Sequence, residues 1–168
     1  MAARGAAFRV MSKVSLKRAV PLTAVQAFAI AADVASYKDF LPLVSRSTIR
    51  GPVEEQGPVK RFAADLMVAV AKLGLHESFT SQVVVDSSAH SVVATSQDGP
   101  MKELRAEWSI TSIDGARSTV AIDIDYQFKS KLMQMAAGHM MDYAVKRVLE
   151  AFELRGRQLY PSSTLPNI

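Results

Sequence analysis

The sequence predicts an α+β domain in which a curved antiparallel sheet of seven strands is covered by one long C-terminal helix. Apolar residues keep a helical spacing of three and four from Ser130 to Leu159, which is about eight turns. Between Ser45 and Phe128 this period is replaced by alternation of apolar and polar residues, interrupted by turn residues. With 168 residues and 49% hydrophobic composition, the chain has the size of one domain with one core.

The N-terminal part predicts one strand followed by two short helices. Residues Lys13–Val20 alternate between apolar and polar side chains, which is typical of a strand. Thr23 and Gln26 have the spacing of a capping box at the start of an amphipathic helix. A second helix of one turn is predicted around Tyr37, and Pro42 must end it.

Six further strands are predicted from the alternating region. They are Ser45–Arg50, Val59–Lys72, Leu75–Asp86, Ser91–Gln97, Lys102–Ile113 and Arg117–Phe128. The first two are predicted to be joined by a turn over Gly51–Gly57, and the last two by a hairpin at Asp114-Gly115, a pair that tolerates positive φ. Successive hairpins of this kind make a meander.

The last predicted strand shows that one face of the sheet is apolar. Val120, Ile122, Ile124 and Tyr126 alternate with polar and small residues, as Leu104, Ala106, Trp108 and Ile110 do in the preceding strand. Such a face must be covered, and the long terminal helix is the available cover. Ser130 can serve as the N-cap of this helix, and Gly156 is a candidate for its stop.

The charge distribution argues against a broad nucleic-acid-binding face. The net charge is +4, but five of the 20 basic residues precede the first acid, Asp33, so the other 15 meet 16 acids. Without a long apolar run, a membrane-spanning helix is not expected, and without cysteine a disulfide or thiolate site is excluded. We expect residues 1–12 to be a flexible extension and 161–168 a flexible tail.

No catalytic or metal-binding motif is present in the sequence. The three histidines lack ligand spacing, and no nucleophile motif, P-loop or dinucleotide fingerprint occurs. Glu77 is the one acid predicted on the apolar face, where it could act as a base or bind a ligand; the alternative is that it lies in water near the strand end. Tyr126 could bind a ligand carbonyl or simply close the core.

Three segments resemble one known family. They are Phe28–Pro42, then Gly99–Leu104 followed by Trp108, and Phe128–Ser130. Their order and spacing are similar to those of the coenzyme Q-binding, START-like family, which includes mitochondrial Coq10 proteins and bacterial RatA-like proteins. The resemblance covers Lys13–Tyr160, so we expect one START-like domain over residues 13–160 with a helix-grip arrangement of sheet and long helix.

The resemblance implies a protein without catalysis that carries ubiquinone or a related polyprenyl lipid in a hydrophobic cavity and supports respiration. No cofactor is required, and ubiquinone is the bound ligand. The partners implied are the quinone and, transiently, a membrane surface; the location implied is cytoplasmic, peripheral to the inner membrane, or on the matrix face in a eukaryote. The residues predicted to line the cavity are Leu66, Val68, Phe79, Val83, Leu104, Trp108, Ile110, Ile122, Ile124, Tyr126, Met133 and Met140.

Two alternatives come from other functional classes. The resemblance also allows a ribosome-associated toxin of RatA type that blocks subunit joining. Its contact residues would be Arg46, Arg50, Lys60, Arg61, Lys129, Lys131, Lys146 and Arg147, which otherwise form an ordinary solvated surface. The third reading is a polyketide cyclase or dehydratase, for which Glu77 and Tyr126 would have to supply acid and base chemistry.

Overall fold

The computed structural model describes residues 11–70 and 74–161, so most of the two predicted flexible ends lies outside the described residues. Seven strands and three α-helices follow one another in the predicted order, which confirms the fold class. The strands are β1 Ser12–Val20, β2 Val44–Gln56, β3 Val59–Val70, β4 Leu75–Asp86, β5 Ser91–Ser96, β6 Met101–Ser112 and β7 Ser118–Phe128. The helices are α1 Ala24–Ala32, α2 Tyr37–Phe40, which a 3-10 turn precedes, and α3 Lys131–Leu159.

All seven strands form one antiparallel sheet in the order β1-β7-β6-β5-β4-β3-β2. Strands β2 to β7 are a meander, and β1 joins the far edge beside β7. The register aligns apolar residues across the sheet: Trp108 lies opposite Ile122 on one side and Val92 on the other. This alignment produces the apolar inner face that the alternation predicts.

The predicted starts of two helices are confirmed. The Thr23 hydroxyl accepts a hydrogen bond from the Gln26 amide at 3.1 Å, and the Gln26 side chain accepts one from the Thr23 amide at 3.0 Å. At the start of α3, the Ser130 hydroxyl accepts a hydrogen bond from the Met133 amide at 3.3 Å. Both caps satisfy amide groups that the first turn leaves without helical partners.

The predicted turn over Gly51–Gly57 is wrong, because β2 continues to Gln56. A register shift between Arg50 and Glu54 marks an irregularity that absorbs the intervening residues, including Gly51 with its positive φ of 73°. Beyond it, Glu55 pairs with Lys60 in register, and their side chains form an ion pair at 3.6 Å. The hairpin arm is therefore longer than the turn residues indicate.

The predicted helix stop at Gly156 is also wrong, because α3 continues to Leu159. Gly156 is buried, and a Cβ atom placed on it would lie 2.5 Å from Cδ1 of Leu22. The glycine therefore allows a close approach between α3 and the segment that follows β1.

The second half of α3 is held firmly against the sheet and α1. Val145, Leu149 and Phe152 are buried. The Arg18 guanidinium of β1 contacts the Glu153 carboxylate at 2.6 Å, and the same carboxylate pairs with Arg157, four residues further along the helix, at 3.1 Å. This half of the helix is the anchored one.

Candidate ligand-binding site

The structure places the ten predicted lining residues of the sheet on its inner face, but it does not bury them equally. Six of them are buried: Phe79, Val83, Trp108, Ile110, Ile122 and Tyr126. Four are only partly buried: Leu66, Val68, Leu104 and Ile124. A filled core buries such side chains, so the four mark places where the inner face is open to solvent.

The two predicted residues of α3, Met133 and Met140, are also partly exposed. The helix contacts the sheet at β1 and β7, and α1 lies over β5, β6 and β7. Leu66 and Val68 lie on the inner face of β3. This strand is near the opposite edge of the sheet, four strands away from β7. The first half of α3 and the inner face of β3 therefore each keep partly exposed apolar side chains, and we call these two surfaces together the open side of the domain.

Trp108 belongs to an aromatic cluster at the closed side. Its ring lies 5.1 Å from the Phe152 ring and 6.4 Å from the Tyr37 ring, measured between centroids. The Tyr37 hydroxyl donates to the Ala31 carbonyl at 2.5 Å. Burial, with a smaller effect of the nearby Asp33 carboxylate, raises the pKa of Tyr37 far above its ordinary value, and interaction with the Trp108 side chain offsets part of this rise. The cluster ties the Phe28–Pro42 segment to the centre of the sheet.

A polar group of residues lies where α3 meets β1 and β7. Gln134 donates to the Ser12 hydroxyl at 2.9 Å and accepts from the Phe128 amide at 2.7 Å. Next to them, burial raises the pKa of Tyr126, the Ser12 side chain opposes this rise, and the Asp142 carboxylate adds to it. The Tyr126 hydroxyl is therefore neutral at physiological pH and able to donate a hydrogen bond.

Ser81 is an inner-face residue that the sequence analysis missed. It lies between Phe79 and Val83 on β4, is 1% exposed, and its hydroxyl has no hydrogen-bond partner among the described residues. A buried hydroxyl without a partner is costly, so it is available to a ligand that reaches the inner face. The alternation of β4 places residue 81 on the inner face. A small serine interrupts the apolar pattern, however, so the sequence alone does not mark it as a candidate ligand-binding residue.

The turn from Asp98 to Met101 packs against β4. Gly99 has a positive φ of 59°, and a Cβ atom there would lie 2.8 Å from the Ser78 carbonyl oxygen. The Asp98 carboxylate accepts a hydrogen bond from the Thr80 amide at 2.9 Å, and such bonds lower its pKa. A side chain at position 99 would therefore collide with the backbone of β4, and glycine allows the turn to hold Asp98 against Thr80.

A separate open groove of about 760 Å³ lies on the outer face of the sheet. Its side chains are mostly polar and include Lys13, Gln82, Arg105 and Asp125, and Leu104 is the one predicted lining residue at its border. Lys13 and Asp125 form an ion pair there at 3.5 Å. The groove is therefore a different surface from the predicted apolar site.

The structure does not assemble the predicted acid and base. Glu77 is exposed near the start of β4, whereas Tyr126 is buried on β7. Three strand spacings separate β4 from β7, which is about 14 Å at the usual distance between strands. Within residues 11–70 and 74–161, no three His, Cys, Asp or Glu side chains come together as metal ligands.

The eight basic residues of the ribosome-binding alternative are all exposed. Two of the four on β2 and β3 form ion pairs: Arg50 lies 3.6 Å from Asp65, and Lys60 pairs with Glu55. Those beside α3 form a separate group. None of the helices in the described ranges combines the length and apolar character needed to cross a bilayer.

Comparison with known proteins assigns the chain to a family. The model of the polyketide cyclase / dehydrase and lipid transport family matches residues 20–153. The chain belongs to this family, as the START-like fold and the apolar inner face also indicate.

Among individual proteins, the chain is 31% identical to the ribosome association toxin RatA of Vibrio cholerae serotype O1, over 89% of this chain and 99% of the relative. It is 28% identical to the mitochondrial coenzyme Q-binding protein coq10 of Schizosaccharomyces pombe, over 74% of each chain. The solution structure of the 18 kDa protein CC1736 from Caulobacter crescentus superimposes with a TM-score of 0.75 at 26% identity, covering 88% of this chain and 97% of that one.

Proposed function

We propose that the protein binds ubiquinone or a related polyprenyl quinone on the inner face of the sheet and acts as a carrier of this lipid, without catalysis and without a required cofactor. The observation that carries the proposal is the unequal burial of the inner face. Its buried part includes Trp108 and Ile122, while Leu66, Val68, Met133 and Met140 stay partly exposed around the open side. An isoprenoid chain would remove these side chains from water.

Two hydroxyl groups give the quinone head candidate partners. The neutral Tyr126 hydroxyl and the hydroxyl of Ser81 are both on the inner face, and both can donate to a carbonyl oxygen. The coenzyme Q-binding name of the Schizosaccharomyces relative supports a quinone as the ligand.

The proposal is tested by extracting the purified protein with organic solvent and identifying isoprenoid quinones by mass spectrometry. We expect quinone in the wild-type extract, much less in Leu66→Asp, and a wild-type amount in Val53→Asp, a control at an exposed site on β2. The proposal is wrong if the wild type carries no quinone and binds none of a short-tail quinone added in solution.

A second candidate is association with ribosomes, which the similarity to RatA and the exposed basic residues favour. Co-sedimentation with purified ribosomes at low and moderate salt tests it, because phosphate contacts weaken as salt rises. Salt-sensitive pelleting by a protein that carries no quinone would establish this function in place of the carrier.

A further inference from the structure

The first half of α3 exposes a row of large apolar side chains on its outward face. We call Leu132, Met135 and Tyr143 the apolar stripe; their side chains are 77%, 68% and 62% exposed. Spacings of three and eight residues place all three on one side of the helix, opposite the buried Ala137 and Val145. The stripe contributes little to the core, so folding alone does not explain it.

Basic residues flank this stripe. Lys129, Lys131, Lys146 and Arg147 are exposed, and Asp142 is the only acid between positions 129 and 147. No acidic residue lies in the first turn of α3, where the helix dipole favours negative charge. The cations near that end therefore oppose helix stability, and a role in binding explains them better.

We propose that the first half of α3 docks on an anionic lipid bilayer. Apolar side chains beside Lys and Arg are the pattern of helices that lie in a membrane interface, where the apolar groups enter the lipid and the cations contact phosphates. A second copy docking through the same stripe would bring like charges together, and a nucleic acid would leave Leu132 and Met135 without apolar partners. A bilayer matches both features of the surface.

Docking in this orientation connects the bilayer with the open side of the domain. Met133 and Met140 lie between the apolar stripe and the inner face, and both are partly exposed. They extend the apolar surface around the helix from the docking face towards the face of α3 that packs against the sheet. Resting on the proposed function, this gives a polyprenyl lipid a route into the protein that avoids water.

The test is flotation of the full-length protein with vesicles of phosphatidylcholine mixed with phosphatidylglycerol, and with vesicles of phosphatidylcholine alone. We expect binding to the anionic vesicles only. The double variant Leu132→Gln, Met135→Gln should bind about tenfold or more weakly, since two apolar side chains no longer enter the interface. Leu154→Gln is the matched control, because Leu154 is 58% exposed on the same helix about 16 Å beyond Tyr143.

Replacing the four cations by glutamate tests the electrostatic part. Each Lys or Arg near an anionic surface contributes about fivefold to the partition coefficient, so this variant should lose its binding to phosphatidylglycerol vesicles. Rising salt should weaken wild-type binding in the same direction.

Three outcomes overturn the docking proposal. It is wrong if the wild type fails to bind anionic vesicles at low salt, or if the Leu132/Met135 variant binds them as well as the Leu154 control does. It is also wrong if light scattering shows a dimer that the Leu132/Met135 substitutions dissociate. Titration with a short-tail quinone in the absence of vesicles separates the two proposals. If the wild type binds no quinone in this titration, the carrier function is refuted and the docking result stands. If it binds quinone but no vesicles, the docking proposal is refuted and the carrier function stands.

Discussion

Two glycines of α3 provide a matched test of how its second half packs. Alanine at either Gly138 or Gly156 gains helix propensity of about 1 kcal/mol, because both positions are inside the helix. At Gly138 the new Cβ meets nothing within 4 Å. At Gly156 it would lie 2.5 Å from one methyl carbon of Leu22 and 3.1 Å from the other, and Leu22 is only 1% exposed. The Leu22 side chain must therefore shift inside a filled core.

The propensity gain cancels in the difference between the two variants, which leaves the packing cost. Overpacking a core by one methyl group costs about 1–3 kcal/mol. We therefore expect Gly138→Ala to raise the free energy of unfolding by about 1 kcal/mol and Gly156→Ala to lie about 1–3 kcal/mol below it. Urea denaturation followed by circular dichroism measures both values. Equal stabilisation by the two substitutions would refute the close approach of α3 to Leu22.

Three further outcomes are expected. Trp108 fluorescence should change on addition of a short-tail quinone, because the indole lies on the inner face; an unchanged spectrum at saturation would count against this placement. Ile124→Asp should lower the free energy of unfolding by about 2–4 kcal/mol and remove bound lipid, because it places a carboxylate on an apolar face. Retained lipid at wild-type stability would show that the assignment of the two sheet faces is reversed. The pKa of Tyr37 is raised above 10.0 in the folded protein, so the contribution of this tyrosine to stability is complete below pH 10 and is lost as the pH rises further. Tyr37→Phe should therefore lower the free energy of unfolding by about 1 kcal/mol at neutral pH and reduce the loss of stability above pH 10. Urea denaturation at several pH values measures both effects.

The sequence was sufficient for the order of the elements and for the direction in which the strand residues face. Alternation in β6 and β7 determines which side chains share a face, and the cap at Ser130 is a local signal within four residues. Such signals depend on neighbours in the chain. They explain why the sheet and the start of α3 were predicted correctly.

Features that depend on distant partners were missed. A glycine in a sequence shows only a missing side chain, and the choice between a helix stop and a close contact at Gly156 depends on Leu22. The partial exposure of Leu66 and Met133 depends on which strands α3 reaches, and no periodicity contains that information. Ser81 was missed for a similar reason. Its hydroxyl is notable because it is buried without a hydrogen-bond partner among the described residues, and this depends on which groups surround it in the folded protein.

The energetics of the proposed ligand determine what kind of site is useful. Burying one CH₂ group of an isoprenoid chain is worth about 0.8 kcal/mol relative to water, but in a membrane the chain is already buried. Transfer into the protein therefore gains only the difference between lipid and protein surroundings, together with any hydrogen bond to the head group from Tyr126 or Ser81. Met133 and Met140 are flexible and partly exposed, and side chains of this kind beside the lipid keep the barrier to exchange low. For such a carrier, contact with the bilayer is part of ligand exchange, and for this reason the open side and the exposed face of the same helix half should act together.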